Sequence, residues 1–121
     1  MTDRIGYMDH ISLAVPDVEK QVDFFTEVLG MTAHHRSPEF GMVSDPDSRF
    51  QIELTKADGP ETKLLHIGLQ VADVDGAFDT LVSAGLSTVH APHRREFAKM
   101  RTAFVRDAAG LEVQVAKMDP R

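Results

Sequence analysis

Residues 64–78, LLHIGLQVADVDGAF, repeat residues 8–22, MDHISLAVPDVEKQV, without a gap. His66 falls on His10, and the Ile, Leu, Val, Asp and Val that follow recur at matching positions. A phrase written twice in 121 residues restricts the fold more than any other feature, because each copy must be one supersecondary unit of the same kind.

The match extends beyond that phrase. In the first copy PDVEKQVDFFTEVLG reads as a helix, with Asp17 as N-cap, Val18, Val22, Phe25 and Leu29 at helical spacing, and Gly30 as its stop. ADVDGAFDTLVSAG repeats the plan with Asp73 as cap, Val74, Phe78 and Leu81 as the stripe, and Gly85 as stop. FQIELTKAD (50–58) lies over LEVQVAKMD (111–119), which sets Glu53 over Gln114. VSDPDSR and VRDAAG precede them as polar hairpin turns, and KADGPETK (56–63) has the composition of a linker between the copies. Each copy thus reads as strand, helix and about three strands, the last two forming a hairpin. A single copy could not bury both faces of so small a sheet. The expectation is one domain over 1–121 made of two paired βαβββ repeats, about 5–56 and 63–118, an α+β fold.

Side chains alternate across a strand, so parity separates the two faces. Ile11, Leu13 and Val15 oppose His10, Ser12 and Ala14; Ile67, Leu69 and Val71 oppose His66, Gly68 and Gln70. Phe50, Ile52 and Leu54 oppose Gln51, Glu53 and Thr55, and Leu111, Val113 and Val115 oppose Glu112, Gln114 and Ala116. The apolar faces should pack on the helices. The other faces carry His10, Glu53, His66 and Gln114 at repeat-equivalent positions. Each of the four, taken singly, suits the wet side of an antiparallel sheet. Together, two imidazoles, a carboxylate and an amide oxygen suit a divalent metal. The residue pattern alone leaves both readings open.

Composition excludes other chemistries. The chain has no cysteine, so disulfides, thiol nucleophiles, Fe–S clusters and thiolate zinc sites are out, and any metal must take nitrogen and oxygen ligands. A net charge of −6 speaks against nucleic acid as a partner. Apolar residues make up 42% and charged residues 26%, as in an ordinary globular chain, and no apolar run reaches membrane-spanning length. The opening MTDRIGYMDH lacks a signal-peptide hydrophobic region, which leads us to expect a cytoplasmic protein without membrane contact. GxGxxG, P-loop, GxSxG and HExxH motifs are absent.

With "DHISLAV" followed by "DVEKQVDFFTEVLGM", the second "HIGLQVADVDGAF" and the closing "FVRDAAGLEVQV", the chain resembles the vicinal-oxygen-chelate superfamily over nearly its whole length. That superfamily groups glyoxalase I, methylmalonyl-CoA epimerase, extradiol dioxygenases, and the fosfomycin- and bleomycin-resistance proteins. The resemblance implies paired βαβββ modules whose antiparallel sheets curl into a cup, with one divalent metal ion (Zn, Ni, Co, Mn or Fe) held from four equivalent strands. By position these ligands fall on His10, Glu53, His66 and Gln114. Many members carry Glu at the last position; here DAAGLEVQV places Gln114 there, with Glu112 two residues earlier on the same face. This departs from the extradiol dioxygenases, whose last ligand is a carboxylate.

The resemblance specifies fold better than activity. The first functional expectation is a metal-dependent lyase or isomerase of glyoxalase or epimerase type, acting through a metal-bound enediolate, with Glu53 as ligand and base and Gln114 as ligand only. The alternatives are an iron-dependent extradiol-type dioxygenase and a metal-free binding or resistance protein. HAPHRREFAKMR (90–101) concentrates His90, His93, Arg94, Arg95, Lys99 and Arg101 in an acidic chain. It reads either as a solvated loop or as a mouth in which Arg94, Arg95 and Arg101 attract a small anionic substrate. Short sheets with open edges, and the resemblance, lead us to expect a homodimer.

Overall fold

The computed structural model describes residues 5–47 and 50–120. Ser48 and Arg49, the end of the VSDPDSR turn, lie outside the described residues. The chain divides into two compact units, Asp9–Leu65 and residues 66–120 with the preceding 5–8. Both have the βαβββ plan, which gives the expected α+β class, with eight strands and two α-helices among the described residues.

In the unit Asp9–Leu65, strand β1 (Gly6–Val15) leads to α1 (Val18–Asp23) and then to β2 (Thr32–Arg36), β3 (Phe40–Ser44) and β4 (Gln51–Lys56). β2–β3 and β3–β4 pair antiparallel, and β4 returns parallel to β1. The closing strand therefore lies beside the first one. The apolar parity of these strands packs on the helix: Val15, Val43 and Leu54 form a buried cluster with Val18, Val22 and Phe25. Asp17 caps α1, accepting from the Lys20 N–H at 3.1 Å.

The expected helix over PDVEKQVDFFTEVLG changes character halfway. After Asp23 it becomes a π-type turn, Phe24–Val28, in which the Leu29 N–H reaches back five residues to the Phe24 carbonyl. The extra residue rotates Leu29 off the apolar stripe. It is 53% exposed, and Met31 packs against the cluster instead. Gly30 follows at φ 75°, the left-handed conformation that ends the helix.

The second unit repeats the plan with β5 (Lys63–Val71), α2 (Val74–Ser83), β6 (Ser87–Arg95), β7 (Met100–Arg106) and β8 (Glu112–Met118). β6–β7 and β7–β8 are antiparallel and β8 is parallel to β5. Val71, Ala103 and Val115 bury against Val74 and Ala77 of α2, with Ile5, Leu69, Phe78 and Leu81 packed around them. Asp73 caps α2 and Gly85 ends it at φ 105°. Gly6 is required where it stands, because a side chain there would run into the Gln70 carbonyl and Val71.

The basic stretch 90–101 is not a loop. It forms the end of β6, a four-residue turn and the start of β7, with two register shifts along the pair. Among the described residues no helix is long and apolar enough to cross a membrane.

Candidate metal-binding and proton-transfer residues

In the unit Asp9–Leu65 the parallel pairing of β1 with β4 sets Ser12 beside Glu53, and His10 lies one pleat earlier on the same face. The His10 Nδ1 is 2.6 Å from the Asp9 carboxylate. That acceptor holds a proton on Nδ1, which makes Nε2 the nitrogen that offers a lone pair when the ring is neutral. Nε2 lies 3.9 Å from Glu53 Oε1. This separation is too long for a hydrogen bond, yet within the span of two donor atoms each about 2.0–2.2 Å from one ion.

Glu53 is partly withdrawn from water, and burial pushes its carboxyl above the usual range. The neighbouring His10 pulls it down and Asp9 pushes it further up. A carboxylate biased toward taking a proton suits general-base work.

The other unit builds the same step independently. β5 pairs parallel with β8 so that Gly68 stands beside Gln114, and His66 lies one pleat earlier, as His10 does before Ser12. The His66 ring meets Phe104 edge to face, with centroids 5.5 Å apart. Gln114 is buried, and a hydrogen-bond chain fixes its orientation. Thr102 Oγ1 donates to the Val115 carbonyl at 3.0 Å, so that hydroxyl must accept from Gln114, whose amide NH₂ lies 3.0 Å away. The Gln114 carbonyl oxygen, the end able to hold a cation, is thereby turned from Thr102. Each unit thus offers an imidazole and an oxygen donor on one face, donor types that suit a divalent ion of borderline character without thiolates.

The three arginines do not share one face. Arg94 and Arg101 are cross-strand partners on the parity of Ala103, which packs on α2. Arg101 grips Asp75 of that helix through two hydrogen bonds of 2.7 Å. Arg94 binds Asp119 with both terminal nitrogens and Glu96 through Nε at 2.6 Å. Arg95 pairs opposite Met100, on the parity of Thr102 and Phe104, and so shares the face of Gln114 and His66. Its guanidinium carbon lies 5.2 Å from the Phe104 ring centroid.

Sequence reasoning missed Asp9, Thr102 and Phe104. Asp9 could have been found from its adjacency to His10, since a carboxylate beside a ligand-type imidazole is a common orienting partner. Thr102 and Phe104 had no signal of their own; their role appears only once β7 is registered on β8.

A family model described as the Glyoxalase/Bleomycin resistance protein/Dioxygenase superfamily matches residues 7–115. A probable lactoylglutathione lyase of Vibrio cholerae serotype O1 is 28% identical over 119 residues, which cover 88% of this chain and 86% of that protein. Uncharacterized protein YraH of Bacillus subtilis is 27% identical over 122 residues, 89% of this chain and 95% of that protein. In fold the chain is similar to the crystal structure of methylmalonyl-CoA epimerase from Mycobacterium tuberculosis, with a TM-score of 0.81, 22% identity, and 99% of this chain and 93% of that one covered.

Proposed function

Because the chain belongs to the Glyoxalase/Bleomycin resistance protein/Dioxygenase superfamily, we propose that it is a metal-dependent lyase or isomerase that moves a proton at a carbon beside a carbonyl. The ligands in this reading are His10, Glu53 and His66, with Gln114 as the fourth. The observation that carries it is the repeated register: Ser12 beside Glu53 and Gly68 beside Gln114, each with a histidine one pleat earlier. Duplication repeats the register; what favours a ligand is that a histidine or an oxygen-bearing side chain stands at each of the four repeated positions.

A divalent ion held there would draw electron density from two neighbouring substrate oxygens and so acidify the adjacent carbon. Glu53 takes the proton, since its raised basicity and its carboxylate chemistry suit it. Gln114, a neutral amide, can hold and orient but cannot act as base near neutral pH. The division gives a one-sided proton transfer. Lactoylglutathione and methylmalonyl-CoA, the compounds in the relatives' names, both carry a proton beside a thioester carbonyl and a second oxygen within chelating reach. A thioester or hemithioacetal of this kind is the substrate class we assign, with a cytoplasmic location and a homodimer as the setting. Sedimentation at micromolar concentration tests the assembly, and a species of one chain only would contradict it.

Metal titration of chelator-treated protein tests the ligand set. Wild type should bind one divalent ion per chain, and His10→Ala or His66→Ala should abolish tight binding. Asp9→Asn should weaken binding by about 10–100-fold, the usual effect of losing a partner that orients an imidazole. Unchanged affinity in both histidine variants would overturn the assignment.

A further inference from the structure

We propose that Arg95 is the residue that recognises an oxyanion, a carboxylate or a phosphate, carried by the substrate, and that His93 and Phe104 position it. Only the identification of that anion as part of the substrate rests on the function proposed above. The basic stretch offers three arginines, but two are already committed. Asp119 and Glu96 occupy Arg94, and Asp75 occupies Arg101. Among the described residues no carboxylate forms an ion pair with Arg95, although it stands on the polar face of its unit and is half-buried. A guanidinium drawn partly out of water without a counter-charge is a binding site for an anion that arrives from solution.

The neighbours hold that guanidinium in one pose. The Arg95 Nε–H donates to His93 Nε2 at 3.3 Å. His93 can accept there because its Nδ1 lies 2.8 Å from the Ala91 carbonyl, which requires the proton on Nδ1. With Nε–H engaged, the two terminal nitrogens form the edge left to meet an oxyanion in bidentate fashion. Phe104 lies beneath as a platform. It is 6% exposed, and the rings of His66 and His90 meet it edge to face at 5.5 and 5.6 Å, so it has little room to turn. The same ring thus supports Arg95 and touches His66, which ties anion recognition to a proposed ligand within one unit.

The experiment is a titration of metal-loaded protein with sodium acetate and with inorganic phosphate, against sodium chloride at matched ionic strength. It is followed in wild type through the Arg95 side-chain Nε–H resonance, and in wild type and every variant through the backbone amide resonances of positions 93, 95 and 104. Acetate or phosphate should shift these resonances where chloride does not, and the tighter of the two identifies the carboxylate or the phosphate source. Arg95→Gln should weaken binding by about 10–100-fold, as expected for loss of charged hydrogen bonds. Arg95→Lys should recover only part of it, because a point charge lacks the fork. Arg101→Gln should leave the affinity unchanged. His93→Leu should weaken binding, and His93→Gln, which keeps an acceptor, should restore it. No shift with either anion, or an equal loss in Arg101→Gln, overturns the proposal. Because the readout is binding, failure of the proton-transfer reading would leave these outcomes intact and distinguishable.

Discussion

Glu53 is where the chemistry of the residue and the stability of the protein meet. Its carboxyl is raised above its ordinary value near 4.5, with burial as the largest cause. In metal-free protein the sign follows directly. As pH rises past 4.5 the unfolded chain gives up this proton while the folded chain still holds it, so stability falls across the window up to the folded-state pKa. Glu53→Gln removes the titration. The variant should therefore gain stability relative to wild type from acid to neutral pH, which denaturant melts of chelator-treated protein at several pH values would read. A difference that stays flat with pH would mean that Glu53 is not desolvated. Asp9 and Thr102 show the same economy of means at this scale. One fixes which imidazole nitrogen of His10 carries the proton, and the other fixes which end of the Gln114 amide is presented.

At the scale of elements, alternation and helical spacing were readable because burial imposes them. Leu54, Val115 and Val71 fall on the helix-facing side that their parity assigned, and Asp17, Asp73, Gly30 and Gly85 bound the helices as their chemistry requires. Leu54 is fully buried against α1, so Leu54→Ala should cost about 2–5 kcal/mol in an equilibrium urea melt. A loss well under 1 kcal/mol, by the same scale, would show that the cluster does not carry this unit. The π-type turn at Phe24–Val28 was not readable, because the shift from four-residue to five-residue hydrogen bonding leaves the spacing of Val18, Val22 and Phe25 intact. Nor was the strand character of 90–101. Its charges and Pro92 imitate a loop, and only the hairpin pairing of β6 with β7, and of β7 in turn with β8, makes it strand. Asp119, which Arg94 binds with both terminal nitrogens, and Asp75, which Arg101 grips, lie 25 and 26 residues away, beyond anything local pattern could assign.

For the molecule as a whole, duplication explains both what was legible and what function the chain is fitted for. A repeat makes His10 equivalent to His66 and Glu53 equivalent to Gln114, and the structure gives each pair the same register within its own unit. The repeat is symmetric in place and asymmetric in chemistry, since one unit carries a carboxylate and the other an amide at the equivalent position. The arginines follow the same division of labour, with two fastening strand or turn to helix and tail while the third stands on the polar face. The most direct test of this account is deuterium wash-in at the carbon beside the thioester carbonyl of lactoylglutathione and of methylmalonyl-CoA, in D₂O, with metal-loaded wild type and Glu53→Gln. Wild type should exchange at least one of the two. Glu53→Gln should keep its metal and exchange about 10²–10⁴-fold more slowly, the usual loss on removing a general base. Wild-type exchange in Glu53→Gln with metal occupancy intact, or no exchange of either compound by metal-loaded wild type, would contradict it.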